Sequence, residues 1–271
     1  MNAMRRSADL PFESRDDDDV QGHWLLARLG KRVLRPGGAE LTRTLLDHAR
    51  LTDGDVVELA PGLGRTATDI ISRHPRSYRG IDNDPAAVRA VQLLVERFGD
   101  VYVADAADTG LDDASADVVV GEAMLTLQGE RAKDAIVAET VRVLRPGGRY
   151  AIHELGLMPD ELPDEVKTEI RRALARSIKV NARPLTLPEW SALLTRHGLV
   201  IDHVERAPMA LLQPRRLVSD EGLGGALRFA RNLLTHPKAR RRVLAMRRTF
   251  RTHRRHLTAI AIVARKPEEL P

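Results

Sequence analysis

The sequence predicts a doubly wound α/β fold: one seven-stranded sheet, mostly parallel with an antiparallel last strand, and a helical cap over the strand ends. Three observations predict it. Between residues 55 and 154, short β-branched runs alternate with stretches long enough for crossover helices. The first of those runs leads directly into a glycine turn, Ala60-Pro61-Gly62-Leu63-Gly64. After Glu154 the rhythm breaks, and two further apolar runs follow near the end of the chain.

The elements follow in order. In 20–35, Trp24, Leu25, Leu29, Val33 and Leu34 mark an apolar helix face, stopped by Pro36-Gly37-Gly38. A second helix is expected over 39–49. Strands are expected at 55–60, 77–82, 100–104, 116–121 and 149–154, with crossover helices at 65–74, 85–98 and 130–144. Two more helices, at 160–180 and 186–197, lead to a strand at 199–206. A helical stretch on both sides of Pro237 then precedes the last strand, 257–264. Arg-Pro-Gly-Gly occurs at 35–38 and again at 145–148, but the flanks do not match, so it is no internal repeat.

Composition bounds the function. The chain has 271 residues and a formal charge of +5, enough for one large domain with a substantial core. The expected division is an acidic, flexible tail over 1–19 and a single domain over 20–271. That domain comprises cap helices over 20–50, a ligand-binding core over 51–154 and a C-terminal half over 155–271. No apolar run reaches the roughly 18 residues of a membrane span. The first 19 residues hold an aspartate run, Asp16 to Asp19, where a secretion signal would be apolar. The chain has no cysteine, which excludes disulfides, thiolate metal sites and a cysteine nucleophile. A cytoplasmic location and no metal site are expected.

In a parallel sheet of this kind, ligands sit at the carboxyl ends of the strands. The first strand ends Glu58-Leu59-Ala60-Pro61-Gly62-Leu63-Gly64. Glycines there let the backbone approach a ligand, and the next helix points its N–H groups at it. The same residues satisfy a dinucleotide fingerprint, Gly62-x-Gly64-x-x-Ala67 with Asp82 20 residues after Gly62. Glu58 argues against that reading. A carboxylate at the turn repels a pyrophosphate and suits an ammonium group. Asp82 and Asn83 close the second strand, where an acid can accept from both ribose hydroxyls. Asp84-Pro85 reads as a helix cap. Asp105-Ala106 ends the third strand, an acid that can meet an adenine amino group beside a residue small enough to admit the ring.

Together these residues resemble the class I S-adenosylmethionine-dependent methyltransferases, in the small-molecule group called methyltransferase type 11. The resemblance covers residues 41–154. The glycine loop looks like that family's acid-x-Gly-x-Gly-x-Gly motif, with Ala60 in place of the first glycine. Asp82 matches the ribose acid and Asp105-Ala106 the adenine pair. Residues 117–125, with Glu122 at the strand end, match the fourth strand and its loop. Residues 143–149 match the turn before the fifth. The resemblance implies a Rossmann-like fold, S-adenosylmethionine as cofactor and S-adenosylhomocysteine as product. It implies Glu58, Ala60, Gly62, Gly64, Asp82, Asn83, Asp105, Ala106 and Glu122 as cofactor-binding residues. The loop after the fourth strand lacks the Asn/Asp-Pro-Pro-aromatic motif of DNA amino methyltransferases.

His153 ends the fifth strand and is the first candidate for catalytic proton transfer, with Glu122 the next. The alternative for His153 is pairing with Glu154 or a backbone carbonyl. Residues 214–256 hold 13 Arg or Lys against Asp220 and Glu221. That surplus of 11 exceeds the whole chain's charge and leaves −6 elsewhere. It fits a solvated helical pair packed by an apolar stripe, a surface for an anionic small substrate, or a nucleic-acid platform; few aromatics are available for base stacking. The expected activity is methyl transfer to a small molecule through an O, N or C atom. An RNA methyltransferase, an NAD-binding oxidoreductase and a non-catalytic binder of the same fold are the alternatives.

Overall fold

The computed structural model describes residues 20–268. The expected acidic tail over 1–19 lies outside the described residues. The helices are α1 (Gly22–Arg28), α2 (Gly38–Ala49), α3 (Arg65–Ile71), α4 (Pro85–Val95), α5 (Glu130–Val143), α6 (Asp164–Ile178), α7 (Leu187–Thr195), α8 (Pro214–Thr235) and α9 (Pro237–Thr252). The strands are β1 (Asp55–Leu59), β2 (Ser77–Asp82), β3 (Gly99–Val103), β4 (Ala116–Glu122), β5 (Leu144–Leu157), β6 (Leu185–Thr186), β7 (Val200–Pro208) and β8 (Leu257–Arg265).

The sheet order is β3-β2-β1-β4-β5-β8-β7, with the two-residue β6 pairing β5. The pairs among β1 to β5 are parallel, and β8 runs antiparallel to both β5 and β7. The sheet is therefore mostly parallel with one reversed strand, the last. Central strands read as continuous apolar runs because both their faces are covered. In β8, Leu257 to Ala264 are all buried. β7, at the sheet's edge, is largely exposed. On one face α2, α3 and α4 bring Leu41, Leu45, Ile70, Val88 and Val91 against Val56, Val118 and Val263. On the other, α5 and α7 bring Ile136, Val137, Trp190 and Leu194 against Val57, Val119 and Ile262.

Local chemistry sets the boundaries. Asp84 accepts from the Ala86 N–H at 2.8 Å and Pro85 follows at the first helical position, so α4 starts as the sequence predicts. Thr186 and Glu189 form a capping box at the start of α7. The first helix is much shorter than 20–35. It ends at Arg28, and Gly30 turns the chain at φ +98°. Residues 31–36 then run without helix or strand, held to α8 just before its break at Gly222. Glu221 accepts from the Arg32 and Val33 N–H groups, each at 2.8 Å. Asp220 accepts from Ala39 N–H. The second Arg-Pro-Gly-Gly is not a turn before β5 but an irregularity within it, since the register jumps between Ala116↔Leu144 and Val118↔Arg149. Helices α1, α8 and α9 share a third apolar cluster, including Trp24, Leu25, Phe229, Val243 and Met246. α6 packs Ile170 and Leu174 against Leu155 and Leu157 of β5.

Candidate functional site

The carboxyl ends of β1, β2 and β4 open into a cavity of about 600 Å³, roofed by the cap. Glu58, Ala60, Gly62, Asp82, Asn83, Asp105, Ala106 and Glu122 line it. Gly64 does not. It supports the loop from behind, at φ +71°, where a Cβ would stand 2.6 Å from Leu94 Cδ1. Ala60 holds φ +53°, a left-handed conformation that glycine adopts freely and alanine adopts at a cost. The loop keeps the geometry of a glycine here although the sequence does not supply one.

Asp82 ties the loop to β2. Its Oδ2 accepts from Gly62 N–H at 3.1 Å and its Oδ1 from Asp84 N–H at 3.0 Å. Burial raises its carboxyl above the ordinary range, opposed by those N–H groups. Asp105 is exposed at the rim and accepts from Ala107 N–H. Glu58 is buried, with Tyr78 Oη donating to its Oε2 at 2.7 Å. Burial pushes Glu58 up to about 8; the Tyr78 hydrogen bond pulls it down, and Glu122 raises it again.

Glu122 is fully engaged. Its Oε1 accepts from Thr42 Oγ1 at 2.5 Å and lies 2.9 Å from His153 Nδ1. Its Oε2 accepts from Thr66 Oγ1 at 2.5 Å and lies 3.1 Å from Arg35 Nε. Burial would raise its pKa. Arg35 and the hydrogen bond from His153 outweigh that and hold the carboxyl down to about 2. A carboxylate so held takes no proton at neutral pH, which corrects the expectation of Glu122 as an acid–base group. Its geometry instead fixes Arg35, whose Nη2 donates to Thr66 Oγ1 at 2.6 Å. Arg35 lines the cavity, and its buried Nη1 has no hydrogen-bond partner; Asp69 Oδ2 lies 3.7 Å from it.

His153 needs a second correction. It is fully buried and does not line the cavity. Gly37 N–H donates to its Nε2 at 3.1 Å, which leaves the ring proton on Nδ1, facing Glu122 and Thr42. Neither nitrogen is open to a substrate. Nor does His153 pair with Glu154. Successive strand residues face opposite sides of a sheet, and Glu154 turns the other way. There it accepts from the Met124, Leu125 and Thr126 N–H groups and pins the loop after β4.

Arg35 is a cavity residue that the sequence does not single out. It stands before the alternating core, and no spacing rule links it to a strand end. Its only sequence signal was the unmatched Arg-Pro-Gly-Gly. His23 was also missed. It is the one imidazole among the described residues lining the cavity, and burial lowers it to about 4, so it is neutral at pH 7.

The fold and the cavity set a row of acids, Glu58, Asp82, Asp105 and Glu122, at the strand ends, where a parallel α/β sheet holds its ligand. Comparison with known proteins makes the class specific. The Methyltransf_11 methyltransferase domain model matches residues 57–152. An uncharacterized protein of Haemophilus influenzae is 32% identical over 254 residues, 92% of this chain and 99% of its own length. The phthiotriol/phenolphthiotriol dimycocerosates methyltransferase of Mycobacterium leprae is 33% identical over 110 residues, 40% of each chain. Phosphoethanolamine N-methyltransferase 2 of Haemonchus contortus, solved in complex with S-adenosyl-L-methionine, shares the fold at 16% identity and a TM-score of 0.67. The match covers 93% of this chain and 58% of that one. The chain belongs to the class I S-adenosylmethionine-dependent methyltransferases, in the type 11 group. It is an enzyme that uses S-adenosylmethionine.

Proposed function

We propose that the protein transfers the cofactor's methyl group to a largely apolar small molecule held under the helical cap. The observation that carries this reading is the cavity's lining away from the glycine loop: Leu155, Leu174, Ile178, Met209, Met246 and Phe250. An acceptor buried against these side chains is apolar over most of its surface. The basic segment gives no support to an anionic substrate here, because α9 turns Met246 and Phe250 into the cavity while none of its arginines lines it. The same orientation speaks against RNA in this cavity. The oxidoreductase alternative falls with the methyltransferase class.

The residues at the other end fit the cofactor. Arg35 Nη1, a buried donor with no hydrogen-bond partner, would take its carboxylate. Glu58 would take its ammonium group, Asp82 its ribose hydroxyls, and Asp105 with Ala106 its adenine. When bound, the cofactor supplies an electrophilic methyl carbon on a sulfonium. The chain's contribution is placement of the two reactants, and placement provides much of the rate in such transfers. Neutral His23 would accept a hydrogen bond from the acceptor's O–H or N–H. His153 is a positioning residue that acts through Glu122 on Arg35.

The test uses labelled-methyl cofactor with cell extract. The reading expects label in the organic-soluble fraction, captured as a methylated product by mass spectrometry. Label confined to RNA or to charged, water-soluble metabolites contradicts it.

A further inference from the structure

The helices α8 and α9 carry faces that neither the sheet nor the cavity uses. Gly222 breaks α8 at φ +70°. Beyond that break, Leu223, Leu227 and Leu234 are 72%, 70% and 71% exposed. At roughly 100° per residue these leucines and the exposed Ala230 fall in one stripe about 60° wide. It is not the helix's packing face, which is marked by buried Phe229. Single exposed apolar residues are ordinary, but a row of them marks a docking surface. On α9 the exposed Leu244 is flanked on its own face by Arg240, Arg241, Arg247, Arg248 and Arg251, all exposed. The segment's two acids do not neutralise them. Asp220 and Glu221 each lie 3.7 Å from the buried Lys31 and hold the backbone of 32–39.

We propose that the α8–α9 pair docks the protein on an anionic lipid surface. Leu223, Leu227 and Leu234 enter the headgroup layer, and the α9 arginines meet lipid phosphates. The charge is complementary to such a surface, where each cation strengthens partition by about fivefold. The leucine row supplies the part that charge cannot, insertion into an apolar phase. A nucleic acid offers phosphates but no such phase. It would also want exposed aromatics for stacking, whereas Phe229 packs against α1 and Phe250 lines the cavity. Docking by α9 brings the cavity's wall to the lipid, a short route for an apolar acceptor. That last step rests on the proposed function; docking itself does not.

The full-length protein is floated with vesicles of phosphatidylcholine alone, or of equal parts phosphatidylcholine and phosphatidylglycerol, without cofactor and at about 0.15 M salt. At least tenfold stronger partition onto the anionic vesicles is expected. The triple change Leu223→Ser, Leu227→Ser and Leu234→Ser keeps the charge and touches only exposed side chains; it should lower that partition at least tenfold. Arg247→Gln with Arg248→Gln should lower it by a similar factor. No binding to anionic vesicles overturns the proposal. So does binding that the serine variant retains, or single-stranded RNA displacing the vesicles equally from both proteins. A leucine-dependent dimer in sedimentation also overturns it, by giving the stripe to a second copy. Methyl transfer is not read, so a negative result leaves the proposed function standing.

Discussion

Burial pushes the Glu58 carboxyl up to about 8, which favours its protonated form near neutral pH. An ammonium group beside it favours the ionised form, so binding lowers that pKa and expels a proton. The sign follows: cofactor affinity should rise as pH climbs from about 6 toward 8, and binding near pH 7 should release up to one proton. Calorimetry in buffers of different ionisation enthalpy measures that number, and proton uptake would contradict the assignment of Glu58. His153 acts on a different buried carboxylate, Glu122. His153→Ala leaves the Gly37 N–H unpaired and removes a partner from buried Glu122, an expected loss of about 2–3 kcal/mol. For a chain of this size, that is a fall in Tm of several degrees, on the order of 5 °C. Cofactor affinity should weaken with it, because the Glu122 carboxylate that anchors Arg35 is held less firmly. An unchanged Tm with a loss confined to kcat would return His153 to the chemistry.

Among the elements, the strand–turn–helix units were legible because three signals agreed: β-branched runs, glycine turns and helical spacing. The cap at Asp84-Pro85 was legible from two residues. What stayed hidden depends on contacts distant in sequence. The strand-end rule marked His153 and Glu154, but strand alternation alone cannot say what stands on each side. Thr42 and Gly37 meet His153, and the 124–126 loop meets Glu154. Arg35 was illegible for the same reason: its partners, Thr66 and Glu122, are 31 and 87 residues away. The first helix was overestimated because Val33 and Leu34 continue the apolar pattern after Gly30 has turned the chain. At the β1 turn, Ala60 carries the strain of a left-handed residue. Ala60→Gly should relieve it, partly offset by a looser unfolded chain, for a net gain of about 0.5–1 kcal/mol. Urea unfolding measures this. A loss of more than about 1 kcal/mol would show that the alanine methyl packs rather than strains.

At the scale of the molecule, the site joins two unlike parts. The sheet supplies polar strand ends with strong sequence signals, and these read as the cofactor's half. The cap supplies apolar residues from α1, α6, α9 and the 209–211 segment, brought together from across the chain without a motif. That is why the cofactor could be inferred from sequence and the acceptor could not. If the strand-end cavity is the cofactor site, Asp82 stands at the ribose. Titrating S-adenosylhomocysteine into wild-type protein and the Asp82→Ala variant measures this placement. Losing a hydrogen bond to a charged group costs about 1.5–3 kcal/mol, so the variant should bind at least about tenfold more weakly. Wild-type affinity in a folded Asp82→Ala protein would show that Asp82 does not hold the ribose.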